Sequence, residues 1–363
     1  MRVLGFGTYD VRTHPRVGVL LSGLRSAGMD VVELNRPLGI GTSGRVAALH
    51  SPSQLLTFAT TLLARWASLV VGSLRFMGAH RPDVVLVGYM GHFDVLLARL
   101  LFPRARIVLD HLIFAADTAK DRGSTGALIN RILGALDRTA LGVANIVVLD
   151  TPAHRDMVPA RMRDKCVVVP VGAPRAWFDA RRPAADVSTP LSIVFFGLFT
   201  PLQGTPVIAQ GLRAAASEGS LRITMIGSGQ DLSECQEILS DTPVTWIEWV
   251  EAEDLPELVA SHDVCLGIMG TTPKAMHVVP NKVFQGMAAG CAVITSDTPP
   301  QRELLGDTVV WCPPGDDAAL STSLLELSRN RDLLVRGRRR AADRADAAFG
   351  PDEVVTPLVE ALR

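Results

Sequence analysis

The stretch VVPNKVFQGMAAGCAVITSDTPPQREL, residues 278–304, reads as a helix running into a strand. Proline suits a first helical turn, where its missing N–H would have no partner anyway, so Pro280 and Asn281 open the helix and Lys282 stands in its first turn. Gly286, Ala288, Ala289 and Gly290 are small enough to let that helix approach a neighbour closely. The following CAVITSD is apolar nearly throughout, as a parallel strand covered on both faces must be. The free amides and dipole at such a helix start favour an anion.

Upstream, FFGLFTPLQGTPVIAQGL (195–212) gives the complementary unit. An apolar run ends at Gly197, a polar turn ends at Gly204, and Val207, Ile208 and Leu212 recur at helical spacing. The loop between strand and helix carries no cation of its own. The same alternation extends through the second half as LSIVFFG, LRITMIGSG, VTWIEWV, DVCLGIMG, CAVITSD and DTVVWCPPG. The first half repeats it as RVLGFG, DVVEL, DVVLVG, RIVLD, NIVVLD and CVVVPVG. The fold class expected is therefore α/β, with two Rossmann-like doubly wound domains. Their expected limits are 1–171 and 191–345, joined by a Pro-, Ala- and charge-rich linker at 172–190, with a terminal helix over 346–363.

A chain of 363 residues with 48% hydrophobic residues has the material for two cores, which excludes disorder. Its five cysteines are scattered without a C-x-x-C pair, so neither a disulfide framework nor a structural metal site is expected. The first apolar run, Val3 to Gly7, is of strand length rather than a secretory core, and no uncharged apolar run of about 18 residues is present. A cytoplasmic protein without a membrane span is the expectation. The formal net charge of −1 hides a division: residues 1–171 carry 20 Lys+Arg against 12 Asp+Glu, and residues 172–363 carry 16 against 25. A basic first half is either ordinary solvated surface or a face for an anionic membrane or acidic acceptor. Between Leu55 and Met77, Leu55, Phe58, Leu62, Trp66, Leu69 and Met77 fall on one helical face, with Thr57, Thr61, Arg65, Ser68 and Arg75 opposite. The apolar face is expected to cover a sheet, peripheral membrane contact being the alternative.

GFGTYD holds only Gly5 and Gly7 of a dinucleotide fingerprint, and although Glu33 ends the next strand, the insertion TYDVRTHPRV is too long for a tight pyrophosphate turn. An oxidoreductase is disfavoured. That loop does present His14, Pro15 and Arg16 before an apolar helix, and a cation there would face the C-terminal ends of the strands.

The succession P-N-K-x-x-x-x-M-A-x-G-x-x-V-I-x-S-D, preceded by FFG…QG, IGSGQ and WIEWVEAEDLPELVASHDVCLG, resembles the C-terminal domain of GT-B glycosyltransferases of the retaining group-1 (GT4-like) family. VPVGAPRAWF resembles the interdomain strand and linker of that family, and the terminal segment its crossover helix. The resemblance implies two domains facing a cleft, a nucleoside diphosphate sugar held mainly by the C-terminal domain, and neither metal nor cofactor. In such enzymes the acceptor hydroxyl attacks the face from which the nucleotide leaves, and the leaving phosphate serves as base. The family's diphosphate-binding Arg and Lys fall on Leu198 and Gln203, and its E-x7-E motif on His277 and Gln285. The charge must then come from elsewhere. Of the five Lys+Arg in 191–328, Arg213 lies within a helix and Arg222 at the wrong end of a strand, leaving Lys274, Lys282 and Arg302.

Lys282 is the expected cation, with Arg16 helping across the cleft. The resemblance further implies Gly197, Gly204, Gly227, Gly229, Val250, His277, Pro280, Asn281 and Gln285 as donor contacts, and His111 as the histidine that meets the donor sugar. His14, Gly91, His92 and Asp110 are expected on the acceptor side, whereas Asp117 and Asp121 read as helix-surface carboxylates. The acceptor is a small metabolite, a glycan or a lipid-linked intermediate, not a nucleic acid. Two other readings stay open at this point: a GT-B partner subunit that has lost transfer, and a nucleotide-sugar epimerase or hydrolase on the same architecture.

Overall fold

The computed structural model describes residues 1–40, 52–115, 117 and 126–363. Asp121 lies outside them. The chain forms two compact units, Met1–Pro170 with Val354–Arg363, and Val171–Glu353.

The first unit is built on a six-stranded parallel sheet of order β2-β1-β3-β4-β5-β6. Its strands are β1 (Arg2–Gly7), β2 (Asp30–Asn35), β3 (Val84–Val87), β4 (Arg106–Asp110), β5 (Ile146–Leu149) and β6 (Cys166–Val168). Successive side chains of a strand point to opposite faces, and the core divides accordingly. Leu4, Phe6, Val85, Val87, Ile107, Leu109, Val147 and Leu149 face one layer; Val3, Val84, Leu86, Val108, Ile146 and Val148 face the other. Helices α2 (Pro52–Ser73), α3 (Asp94–Leu101) and α4 (Ala127–Val143) cover the first face, after α1 (Arg16–Ser26), which covers the second.

Helix α2 departs from expectation. Trp66 and Leu69 do turn towards the sheet, but Leu55 and Met77 are exposed, and so is a second apolar stripe beside the first. The helix is also long and apolar enough, by length and composition, to cross a membrane, although its sequence is broken by Arg65 and Arg75.

The second unit repeats the plan with order β12-β11-β10-β7-β8-β9, again all parallel. Its strands are β7 (Leu191–Phe196), β8 (Leu221–Ile226), β9 (Val244–Ile247), β10 (Val264–Leu266), β11 (Ala292–Ser296) and β12 (Val310–Cys312). Ile193, Phe195, Ile223, Met225, Leu266 and Ile294 join Ile208, Leu212, Leu320 and Leu324 from the covering helices in one buried cluster. Each such side chain, removed from water, contributes about 1.5–3 kcal/mol. The helices that matter for the site are α5 (Thr205–Glu218) and α6 (Asn281–Ala288).

The stretch 172–190 carries a short helix, Arg175–Asp179, whose Trp177 is buried and stacks on Phe196. At the C-terminal end, α7 (Arg331–Ala348) belongs to the second unit, and only the last short helix, α8 (Thr356–Leu362), joins the first, burying Leu358, Val359 and Leu362 in its core.

Candidate active site

Ligands of open parallel sheets bind beyond the C-terminal strand ends, where the strand order reverses and neighbouring loops diverge. In the second sheet this point lies between β7 and β10. The loops that leave these strands touch: the Met269 N–H donates to the Gln203 carbonyl at 2.9 Å. Gly204 caps α5 with φ +64°, and a Cβ there would stand 2.4 Å from the Gly270 nitrogen. Backbone meets backbone, so no side chain fits. Gly204→Ala is expected to destabilise the second unit by about 2 kcal/mol from the left-handed conformation and the overlap, measurable as a lower denaturation midpoint. A Cβ on Gly227 would likewise fall 1.9 Å from the Gly197 carbonyl oxygen, and one on Gly229 2.2 Å from that of Phe199. These glycines hold three loops in contact around one point.

Lys282 enters this point from the first turn of α6. It is 5% exposed, its Nζ donates to Gln203 Oε1 at 2.7 Å, and it stands 3.6 Å from the centroid of the Phe195 ring. A Cβ on Gly197 would come within 3.1 Å of Nζ. The loop without a cation therefore receives one from another helix. Its hydrogen bond goes to a neutral amide, and burial pushes the ammonium down to about 7. Pro280 caps the helix in extended conformation, Asn281 follows half-buried, and Gln285 is buried almost one turn beyond Lys282.

The other cations and donor-side residues stand differently. Arg302 forms two hydrogen bonds to Asp297 and lies over the Trp311 ring, a surface arrangement. His277 is exposed, with Nδ1 2.7 Å from the Pro273 carbonyl oxygen. Val250 is half-buried beyond β9, next to an exposed Trp249. Leu198, at the place of the family's arginine, is also exposed.

In the first sheet the order reverses between β1 and β3. His14, from the loop after β1, stacks on Tyr89, from the loop after β3, at 3.9 Å between ring centroids. Gly91 is buried in the turn before α3. Asp94, which sequence reasoning passed over, ties the region together: Thr8 donates to it through its N–H and Oγ1, both at 2.8 Å, and the Trp66 indole donates to its other oxygen at 2.8 Å.

Arg16 and Asp110 meet inside the first unit. Arg16 Nε donates to Asp110 Oδ1 at 2.7 Å, and neither side chain is more than 1% exposed. The guanidinium also donates to the Val169 carbonyl at 2.9 Å. Arg16 thus forms an internal ion pair joining α1 to the ends of β4 and β6, while its Nη1 and Asp110 Oδ2 are buried without a hydrogen-bond partner among the described residues. Glu33, at the end of β2, is likewise occupied, by the Tyr9 hydroxyl and Arg25.

His111 follows Asp110. Its N–H donates to the Val148 carbonyl, and its buried ring meets Phe114 at 4.7 Å and His92 at 5.0 Å, both edge-on. Burial first, and His92 second, push this imidazole down to about 3, so it is neutral at physiological pH. Among the described residues its Nε2 has no hydrogen-bond partner. His92, expected on the acceptor side, is buried too, with Nε2 3.0 Å from Asp137 Oδ1. His92, His111 and Asp137 each bring a ligand atom within 4.8 Å of the others. Asp137 Oδ1 also accepts the Ala115 N–H, so the group reads as a close His92–Asp137 contact beside a neutral imidazole.

Residues 190–330 match the family described as Glycosyl transferases group 1. That match covers the second sheet, from β7 to β12, and leaves the first domain outside it. Among solved structures, the chain is similar to sucrose-phosphate synthase from Thermosynechococcus elongatus, with TM-score 0.70 and 13% identity over 99% of this chain and 97% of that one. It is similar also to Anabaena HepE in complex with UDP-glucose, with TM-score 0.67 and 12% identity over 99% and 98%. A third is the E. coli trehalose-6-phosphate protein bound with UDP-2-fluoro glucose, at TM-score 0.68 and 12% identity over 99% and 98%. No curated protein sequence matches the chain. At such identities the likeness shows the fold, and that fold is GT-B.

Proposed function

We propose that this chain is a glycosyltransferase of the group-1 kind, which moves a sugar from a nucleoside diphosphate sugar to an acceptor hydroxyl with retention of anomeric configuration. The observation that carries the reading is the buried Lys282 at the β7/β10 switch point, in the domain that matches the family. Departure of the nucleotide places charge on its β-phosphate, and a cation in a site of low dielectric stabilises that charge more than water can. Lys282, Gly197, Gly204 and the start of α6 are assigned to the diphosphate. Gln285, His277, Val250, Gly227, Gly229, Pro280 and Asn281 are assigned to the rest of the donor. His111, neutral and with Nε2 uncommitted among the described residues, is assigned to a hydroxyl of the transferred sugar. It serves as a hydrogen-bonding group, since an imidazole held neutral to about pH 3 is no proton donor of the imidazolium kind. Retention rests on the family resemblance, in which the departing phosphate takes the acceptor proton. The loops bearing His14 and Tyr89 are assigned to the acceptor, whether small metabolite, glycan or lipid-linked.

HepE binds UDP-glucose and the E. coli relative UDP-2-fluoro glucose, so uridine donors head the panel to be tried. Titration calorimetry with UDP-, GDP-, ADP- and TDP-sugars is expected to show binding of one nucleotide class, and nucleotide release is expected to accelerate on adding acceptor. Absence of binding across the panel contradicts the donor assignment. Release at the same rate with and without acceptor moves the reading to a hydrolase.

A further inference from the structure

Three neighbouring helices of the first domain turn an apolar surface away from their own core. On α2 and the turn after it, Leu56, Leu63, Val71 and Leu74 form one stripe, each between 60% and 68% exposed. Leu100 on α3 and Leu128 and Ile132 on α4 are exposed as well. The inner faces of the same helices bury Leu69, Val95, Leu97, Ala98, Ala140 and Leu141, so the outer residues are not needed for the domain's core. Exposed apolar residues scattered singly need no explanation, but several on adjoining helices mark an interaction surface.

The charges on these helices are one-sided. Arg65, Arg75, Arg131 and Arg138 are exposed, whereas the two carboxylates, Asp94 and Asp137, are 3% and 5% exposed and engaged inside. Arg131 adjoins Ile132, and Arg75 adjoins Leu74. An apolar stripe with cations and no exposed carboxylate, among the described residues of these helices, is the composition of a helix that lies in the interface of an anionic bilayer.

We propose that the outer face of α2, α3 and α4 binds an anionic lipid surface, with α2 lying in the plane of the interface. It does not cross the bilayer. The Trp66 indole is bonded to Asp94, Leu69 and Ser73 are buried, and a Cβ on Gly72 would stand 2.5 Å from Leu34 Cδ1, so the helix is seated on its domain. Extracting it would strip a buried carboxylate of its indole partner. Charge also disfavours a second copy as the occupant, because a symmetric pairing through this face sets arginines against arginines. The inference concerns the first domain alone and stands whether or not the donor assignment holds.

Co-sedimentation with vesicles of phosphatidylcholine, with and without phosphatidylglycerol, tests it. The native chain is expected to bind the anionic vesicles, less so at high salt. Leu63→Glu with Val71→Glu is expected to weaken that binding about tenfold or more, and Arg75→Glu with Arg131→Glu to remove the preference for anionic lipid. All four sites are exposed, so unchanged circular dichroism and melting show that the variants fold. Failure of the native chain to bind anionic vesicles overturns the proposal, as does equal binding by the Leu63→Glu/Val71→Glu variant. Self-association that this variant abolishes, without vesicle binding, assigns the face to a second copy and overturns it as well.

Discussion

Replacing Lys282 with methionine is expected to lower turnover about a hundredfold, because a cation lost from a developing diphosphate costs on the order of 3 kcal/mol in the transition state. A solvated lysine would cost almost nothing. Methionine keeps the packing on Phe195 and is a good helix former, so α6 should survive. The pH dependence distinguishes this role from a structural one. The folded ammonium titrates at about 7 against an ordinary 10.5. Between these values the unfolded chain holds the proton and the folded chain does not, so stability rises with pH across that window and Lys282 disfavours folding below it. A bound diphosphate reverses the balance by holding the ammonium charged. Nucleoside diphosphate affinity is therefore expected to fall as pH rises above about 7, with proton uptake on binding, and both effects should vanish in Lys282→Met. Calorimetry in buffers of different ionisation enthalpy reads the proton directly. Adding Gln203→Lys to Lys282→Met should restore part of the affinity, since Gln203 Oε1 lies 2.7 Å from the lost Nζ. A Lys282→Met enzyme with native turnover and an unchanged pH profile would falsify the assignment.

The two sheets were legible because a strand buried on both faces has to be apolar along its length. RVLGFG, DVVLVG and LSIVFF match β1, β3 and β7 nearly residue for residue. The switch points follow from that alternation, but the pairs formed there do not. Lys282 meets Gln203 across 79 positions and Arg16 meets Asp110 across 94. Single residues show type and spacing along an element, not the partner that another element supplies. Gln203 thus read as a missing cation, although the same residue is what holds the replacement. Asp94 was passed over because an aspartate at a helix start has an ordinary explanation in the dipole. For α2 the difficulty was different: the exposed Leu56, Leu63 and Val71 form a second apolar stripe beside the one that holds Trp66 and Leu69, so periodicity alone could not say which part of the helix the sheet covers.

Arg16→Met is expected to destabilise the first domain by about 3–5 kcal/mol, since it leaves the Asp110 carboxylate buried without its countercharge. Burial already pushes that carboxyl upwards, against the pull of Arg16. Without the guanidinium the group has to take a proton to remain inside, and the variant should lose further stability as the pH rises and that proton becomes harder to keep. Asp110→Leu added to Arg16→Met removes the uncompensated charge and should recover most of the loss, as apolar replacements of buried pairs commonly do. Hydrogen exchange of β1, β4 and β6 amides reports this domain separately from the second. The same variants decide between the internal pair and the donor role expected from sequence. A guanidinium committed to Asp110 and the Val169 carbonyl predicts that the doubly substituted chain, once stable, binds nucleoside diphosphate as the native chain does. Loss of that binding in a folded double variant would return Arg16 to the donor and leave Lys282 as one of two cations.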